Sequence, residues 1–451
     1  MDSLFSDFDA ISAKQWKQQL QFELKGKDYN DTLVWHSPED IKVKPFYHAD
    51  DNAPSYPIET AASAFKICQN IFVHDLQKSI NRTNDTIARG ATAIRFTIQN
   101  PETDIEKLLS ETNLTDIPVY FNLGFLNHNF IHKIIAVSKT KNINFHLNLD
   151  PIGHLARDGN WPQSVEKNVF EVLKNINTKT NLLSIDATLY QNAGANIVQE
   201  LAFSVSHANE YFENIGNITT PIVFEIALGS NYFFEIAKLR AYRLLFKTIA
   251  TEHNHDYDCQ IIATPSKRNI TIYDYNTNLI RTTTECMAGI LGGANVIANL
   301  PYDNLYHKDN EFGDRIARNQ LLILQKEASF DKVDNPTDGS YYIESLTQQL
   351  AEKALVLFKE IEQSGGFLKL LKNGIIQKKI TESHQKEQDL FDAGKIVLVG
   401  TNKFPNPHDH MKNDLELYPF LKINPRKTLV TPIIEKRLSE KIEQERLKNE
   451  K

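Results

Sequence analysis

Residues 222–266 read IVFEIALGSNYFFEIAKLRAYRLLFKTIATEHNHDYDCQIIATPS, and this stretch decides the fold. Two short apolar runs, IVFEIALG (222–229) and CQIIATPS (259–266), flank the amphipathic stretch FFEIAKLRAYRLLFKTIA (233–250). The flanking runs are too short for helices, and the middle carries its apolar residues at helical spacing. Strand, helix, strand in series predicts parallel strands joined by a crossover helix.

The unit repeats outward in both directions. ATAIRFTI (91–98), PVYFNLGF (118–125), INFHLNLD (143–150), LLSIDATL (182–189) and ANVIANLP (294–301) are further strand-like runs, with helical stretches between most of them. Seven such units predict a closed (β/α) barrel of the TIM type over residues 61–320, with the eighth strand unplaced. Residues 1–60 read as an arm. An amphipathic helix over Ser12–Leu24 stops at Gly26, and two short β-like runs follow, broken by Pro38, Pro45, Pro54 and Pro57. So many prolines exclude a long helix or a central strand, so the arm wraps its own domain or lies across a partner. Residues 321–430 read as a mostly helical extension, with a short strand and a Pro-rich turn at 395–409. Residues 431–451 read as a charged tail, helical or frayed.

Composition narrows the class of function. The 451 residues carry 50 Lys plus Arg against 57 Asp plus Glu, a net charge of -7 that argues against nucleic-acid and anionic-membrane partners. Three distant cysteines, Cys68, Cys259 and Cys286, form neither a disulfide framework nor a CxxC motif. With no signal-like N-terminal run and no transmembrane-length apolar stretch, the expected compartment is the cytoplasm.

Local motifs carry little chemistry. Gly289, Gly292 and Gly293 follow a helix and precede a strand, the reverse of a phosphate cradle, and predict a helix stop. His253, His255 and Asp256, and likewise His408 and His410, lack a third ligand at metal-site spacing, so no metal is expected. No GxSxG motif or recognisable nucleophilic cysteine occurs. Alternation along His146-Leu-Asn148-Leu-Asp150 puts the three polar residues on one strand face, aimed into the barrel or its mouth. Asp150 and His154 fall where catalytic groups of barrel enzymes sit. With Arg95 and Glu225 nearby, the cluster reads equally as a site or as a paired polar plug.

Several ordered blocks resemble one family. These are FFEIAKLRAYRLLF (233–246), with Glu235, Lys238, Arg240 and Arg243; NLIRTTTECMAGILGGANV (278–296), with Arg281, Thr282, Glu285, Met287 and Ala288; Asp314 through Asn319; and NPTDGSYYIESLT (335–347). Gly365-Gly366, VGTNKF (399–404) and an arm carrying Trp16, Lys25-Gly26, Trp35, Pro45 and Tyr47 extend the series. Together they resemble the substrate barrel of the methylmalonyl-CoA mutase family over residues 15–405. The resemblance implies adenosylcobalamin-dependent conversion of methylmalonyl-CoA to succinyl-CoA, in propionate metabolism.

Departures from the family pattern matter as much. The cobalamin signature Asp-x-His-x-x-Gly is absent, and residues 405–451 are too few for a cobalamin domain. QNAGA (191–195) resembles a family block in which a histidine, here Leu189, touches the thioester carbonyl. A second family histidine aligns with Ala298. Neither replacement donates a hydrogen bond to a developing oxyanion. Leu189, Tyr190, Gln191, Asn295 and Ala298 are therefore expected to be vestigial substrate-facing positions, with no catalytic residue. The resemblance implies the small subunit of a heterodimeric mutase. It would bind no cofactor itself and would pair with a homologous large subunit that holds adenosylcobalamin. The rival expectation is the catalytic substrate barrel of a two-component acyl-CoA mutase whose cobalamin domain is a separate protein. A free-standing acyl-CoA binding module is a third.

Overall fold

The computed structural model describes residues 7–51, 56, 58, 60, 62–162, 166–176, 181–216, 218–422 and 424–450. Eight parallel strands form the barrel: β1 (Lys66–Val73), β2 (Ala93–Ile98), β3 (Val119–Leu123), β4 (Phe145–Asn148), β5 (Ser184–Asp186), β6 (Val223–Leu228), β7 (Gln260–Pro265) and β8 (Val296–Ile297). β1 pairs with both β2 and β8, and a parallel bridge between Leu149 and Leu183 joins β4 to β5 and closes the ring. The seven expected strands are all present. The unplaced one is β1, which precedes them.

Helices follow the strands on the outside, as right-handed crossovers require. Tyr232–Glu252, after β6, is buried along most of its length, charged residues included. It packs against both Ile197–Ile215 and Tyr341–Gln363, the first long helix of the C-terminal extension. Its charges tie several of the resembling blocks together. Lys238 Nζ, fully buried, lies 2.6 Å from Glu235, 3.0 Å from Glu200 and 2.6 Å from the Ala227 carbonyl. Arg240 pairs with Asp338 and, at 2.9 Å, with Glu344, both from block 335–347. Arg243 donates to the Gly293 carbonyl (2.6 Å) and to Asn295 Oδ1 (2.9 Å), in the block beside β8. Removing one partner of such a buried pair strands the other charge, at about 3–5 kcal/mol.

The arm forms the expected helix as Ala13–Glu23, opened by a Ser12–Gln15 capping box, and the expected two runs as a hairpin of Trp35–His36 with Lys42–Val43. Pro54 and Pro57 lie outside the described residues. The arm's second half wraps its own chain. Tyr29, Ser37, Glu39 and Ile41 are buried, and Trp35 packs edge-on against Phe234. The first helix buries none of its residues.

Beyond Glu311–Lys326, the extension holds helices Tyr341–Gln363, Phe367–Lys372 and Ile375–Asp392, and is irregular over the described residues 393–422 and 424–430. The charged tail is a docked helix, Glu440–Asn449. Glu443 is buried against Arg437 at 2.7 Å, and Glu450 accepts from the backbone amides of Met411 and Lys412. Gly292 ends the helix Thr277–Leu291, and Gly293 takes the left-handed backbone that follows it (φ 84°). Among the described residues, no helix is long and apolar enough to cross a membrane.

Candidate functional site

The strand registers place one polar layer inside the barrel. Arg95 stands opposite Asn70 on β1, and Asn122 opposite Asn148 on β4. Arg95 Nη1 donates to Glu225 Oε2 at 2.7 Å and its Nε to Asn70 Oδ1 at 2.8 Å. Asn122 and Asn148 donate to the two oxygens of Glu225 at 3.2 and 3.1 Å. Burial pushes the Glu225 carboxyl above its usual range, and the Arg95 guanidinium only partly offsets this. Arg95, Asn148 and Glu225 therefore form one ion-paired, hydrogen-bonded plug.

His146 adds a ring to that plug. It stacks on Tyr120 (centroids 4.7 Å apart), and burial pulls its pKa down to about 4, so it is neutral at physiological pH. An apolar layer lies toward the N-terminal strand ends, built from Cys68, Ala93, Tyr120, Val223, Ile262, Val296 and Ala298.

Asp150 does not join this face. β4 ends at Asn148, and Asp150 becomes the N-cap of helix Pro151–Asp158, accepting from the Gly153 amide at 2.8 Å. Its carboxylate also accepts from Tyr211 Oη (2.7 Å) and from the Asp186 amide (2.7 Å), and lies 2.9 Å from His207 Nε2. His207 Nδ1 in turn lies 2.9 Å from Tyr190 Oη. This Asp150–His207–Tyr190 chain is sealed, with His207 stacked on Phe367 at 5.3 Å, and burial drives the Tyr190 phenol far above its ordinary pKa. His207 and Tyr211 were not singled out from sequence. Their signal is two polar-tipped rings four residues apart on an otherwise apolar helix face. His154 holds the Asn160 carbonyl at 3.1 Å.

The five expected substrate-facing positions do not converge. Leu189 is 1% exposed within the main core, and Ala298 is 0% exposed in the apolar layer. Tyr190 turns outward to His207. Gln191 accepts from Ser266 Oγ at 2.8 Å. Asn295 is a structural brace, accepting from Arg243 and from the Ile261 amide (2.8 Å). The histidines at 253 and 255 both stack on Phe212. His253 also bonds Asn209 at 2.8 Å.

The end of the barrel where the strands terminate is crossed by the chain's own C-terminal segment. Leu429 and Val430 donate to the Gly159 carbonyl after β4, and Ile433 to Ala156 (2.8 Å). Lys436 donates to the Asn192 carbonyl after β5 (2.9 Å), and Leu438 to Arg268 after β7 (3.1 Å). Arg157–Glu435 (2.7 Å) and the bond from Arg268 Nη1 to the Lys436 carbonyl (2.8 Å) reinforce this strap. Beneath and beside it lies a cleft of about 740 Å³, whose lining includes Arg157, Lys267, Phe420 and Ile433.

Comparison with known proteins agrees with this architecture. The family model described as methylmalonyl-CoA mutase matches residues 97–444. The methylmalonyl-CoA mutase small subunit of Porphyromonas gingivalis is 30% identical over 442 residues, covering 90% of this chain and 71% of that protein. The small subunit of Streptomyces virginiae is 25% identical over 89% of this chain and 72% of its own length. The methylmalonyl-CoA mutase of Cereibacter sphaeroides is 38% identical over 50% of this chain but only 33% of that protein. A buried lattice of Lys238, Arg240 and Arg243, a plugged barrel and matches of this extent lead to one conclusion: the chain belongs to the methylmalonyl-CoA mutase family.

Proposed function

We propose that this chain is the small, non-catalytic subunit of a heterodimeric methylmalonyl-CoA mutase, working in the cytoplasm beside a homologous large subunit. The observation that carries this reading is the closed barrel. Its lumen is spanned by the Arg95–Glu225 network, its mouth is crossed by residues 429–438, and the two family histidine positions hold buried Leu189 and Ala298. Neither side chain supplies the polarised donor that a developing oxyanion needs, a deficit of several kcal/mol in transition-state stabilisation. The rival in which this chain is the working substrate barrel requires an open lumen and retained polar contacts.

The closed-over barrel mouth supports a reading in which adenosylcobalamin is held by the partner. The strap crosses that face through main-chain bonds. In this reading cofactor and radical chemistry belong to the partner.

Partner contact falls to the first part of the arm. Helix Ala13–Glu23 and its approach expose Ile11 (59%), Trp16 (46%) and Phe22 (81%). Apolar exposure of this kind marks a binding surface, and an obligate pairing would bury more than about 2,000 Å² in total. The chain purified alone, with adenosylcobalamin and methylmalonyl-CoA, is expected to give no succinyl-CoA. Turnover would overturn the non-catalytic assignment.

A further inference from the structure

His128 and His132 stand one turn apart on the solvent face of helix His128–Thr140, whose other face buries Phe130, Ile131, Ile134 and Ile135. The helix follows β3, so its first turn lies at the rim of the barrel's C-terminal end. The i,i+4 spacing sets the two side chains side by side. Their Nε2 atoms converge to 3.0 Å, with ring centroids 4.1 Å apart and planes tilted by 48°.

Two neutral imidazoles placed this way share one proton in a hydrogen bond, or present two lone pairs to one ion. With metal–nitrogen bonds of about 2.0–2.1 Å, a separation of 3.0 Å corresponds to an N–metal–N angle of about 94°. Square-planar and octahedral ions take cis angles near 90°, whereas a tetrahedral ion near 109° needs about 3.3 Å. We propose that His128 and His132 form a bidentate surface chelate for a divalent transition-metal ion of tetragonal preference, Ni(II) or Cu(II) in preference to Zn(II). Among the described residues, no third His, Cys, Asp or Glu joins them, so the remaining positions are open to water or to an outside ligand. The positive end of the helix dipole opposes a cation there, roughly a two- to fivefold effect at its usual strength. The chelate is independent of the mutase reading, since neither histidine touches the barrel plug or the strap.

The test is calorimetric titration of the full chain with NiCl2, repeated with ZnCl2, on wild type, His128→Gln and His132→Gln. Both side chains are exposed, so the metal-free variants should melt as wild type does, which checks their folding. The expected result is one saturable Ni(II) site per chain, weakened at least tenfold by either substitution, with Zn(II) bound less tightly than Ni(II). Added Cu(II) should give a tetragonal paramagnetic resonance spectrum with nitrogen splitting that either substitution removes. Absence of saturable Ni(II) binding, or an isotherm unchanged in both variants, overturns the proposal.

Discussion

Arg95→Met isolates the barrel plug. The substitution removes the guanidinium 2.7 Å from Glu225 and leaves the carboxylate buried with only Asn122 and Asn148 as donors. At an effective dielectric of 20, the lost attraction is about 6 kcal/mol. The carboxyl has a cheaper route, because it can take up a proton. At 1.36 kcal/mol per pH unit above an ordinary carboxylate value, protonation costs about 4 kcal/mol at pH 7.5 and about 1.5 kcal/mol at pH 5.5. Those figures cap the electrostatic loss at each pH. The sign follows from linkage. Glu225's folded pKa lies above its unfolded value, so the neutral carboxyl stabilises at low pH, and that contribution is lost as pH rises through the folded value. Equilibrium urea unfolding at the two pH values should therefore show Arg95→Met losing about 2–3 kcal/mol more at pH 7.5 than at pH 5.5. Arg95→Met/Glu225→Gln should regain much of the lost stability and abolish the added pH dependence. An equal loss at both pH values, or a double variant as unstable as the single, would refute the reasoning.

Other consequences are smaller in scope. His146 sits with its pKa pulled down to about 4, so the fold loses stability as pH falls from the unfolded value toward 4; His146→Phe should gain about 2 kcal/mol over wild type at pH 5 relative to pH 7.5, read by thermal melts. Gly159 has φ +87°, and an added Cβ would stand 2.8 Å from the Val430 carbonyl. Gly159→Ala should loosen the strap by about 1–3 kcal/mol and speed proteolytic cleavage near residues 425–430 while far-UV dichroism is unchanged. Leu189→His, alone or with Ala298→His, places a polar ring in a sealed core, so it should cost about 1–3 kcal/mol in stability and confer no turnover; activity gained would show that the pocket survives.

The barrel was legible because crossover helices force a fixed rhythm of short apolar strands, and each of the seven quoted runs contains one. β1 was missed because KICQNIFV mixes both of its faces. Its outward residues Ile67 and Ile71 alternate with Cys68 and Asn70, and a charged Lys66 opens the strand beside the Pro-rich arm. Alternation correctly grouped Asn148 with the interior and failed at Asp150, where the strand had already given way to a helix cap. The tail reads only as charged, helical or frayed, because strand and helix patterns say nothing of long-range pairing. Glu443 finds Arg437, and Glu450 finds backbone amides near Met411, only after the chain has folded back over the barrel. The resembling blocks are likewise joined by contacts invisible in one dimension: Arg240 and Arg243 tie them together across the core.

The central claim is that this barrel serves a partner rather than a substrate. Native mass spectrometry of the chain co-expressed with a cobalamin-binding mutase large subunit, with both subunits identified, tests it most directly. The account predicts a one-to-one complex that loses assembly when Trp16 and Phe22 are replaced by polar residues. A chain that stays free, or that pairs only with itself in the presence of the large subunit, would contradict it.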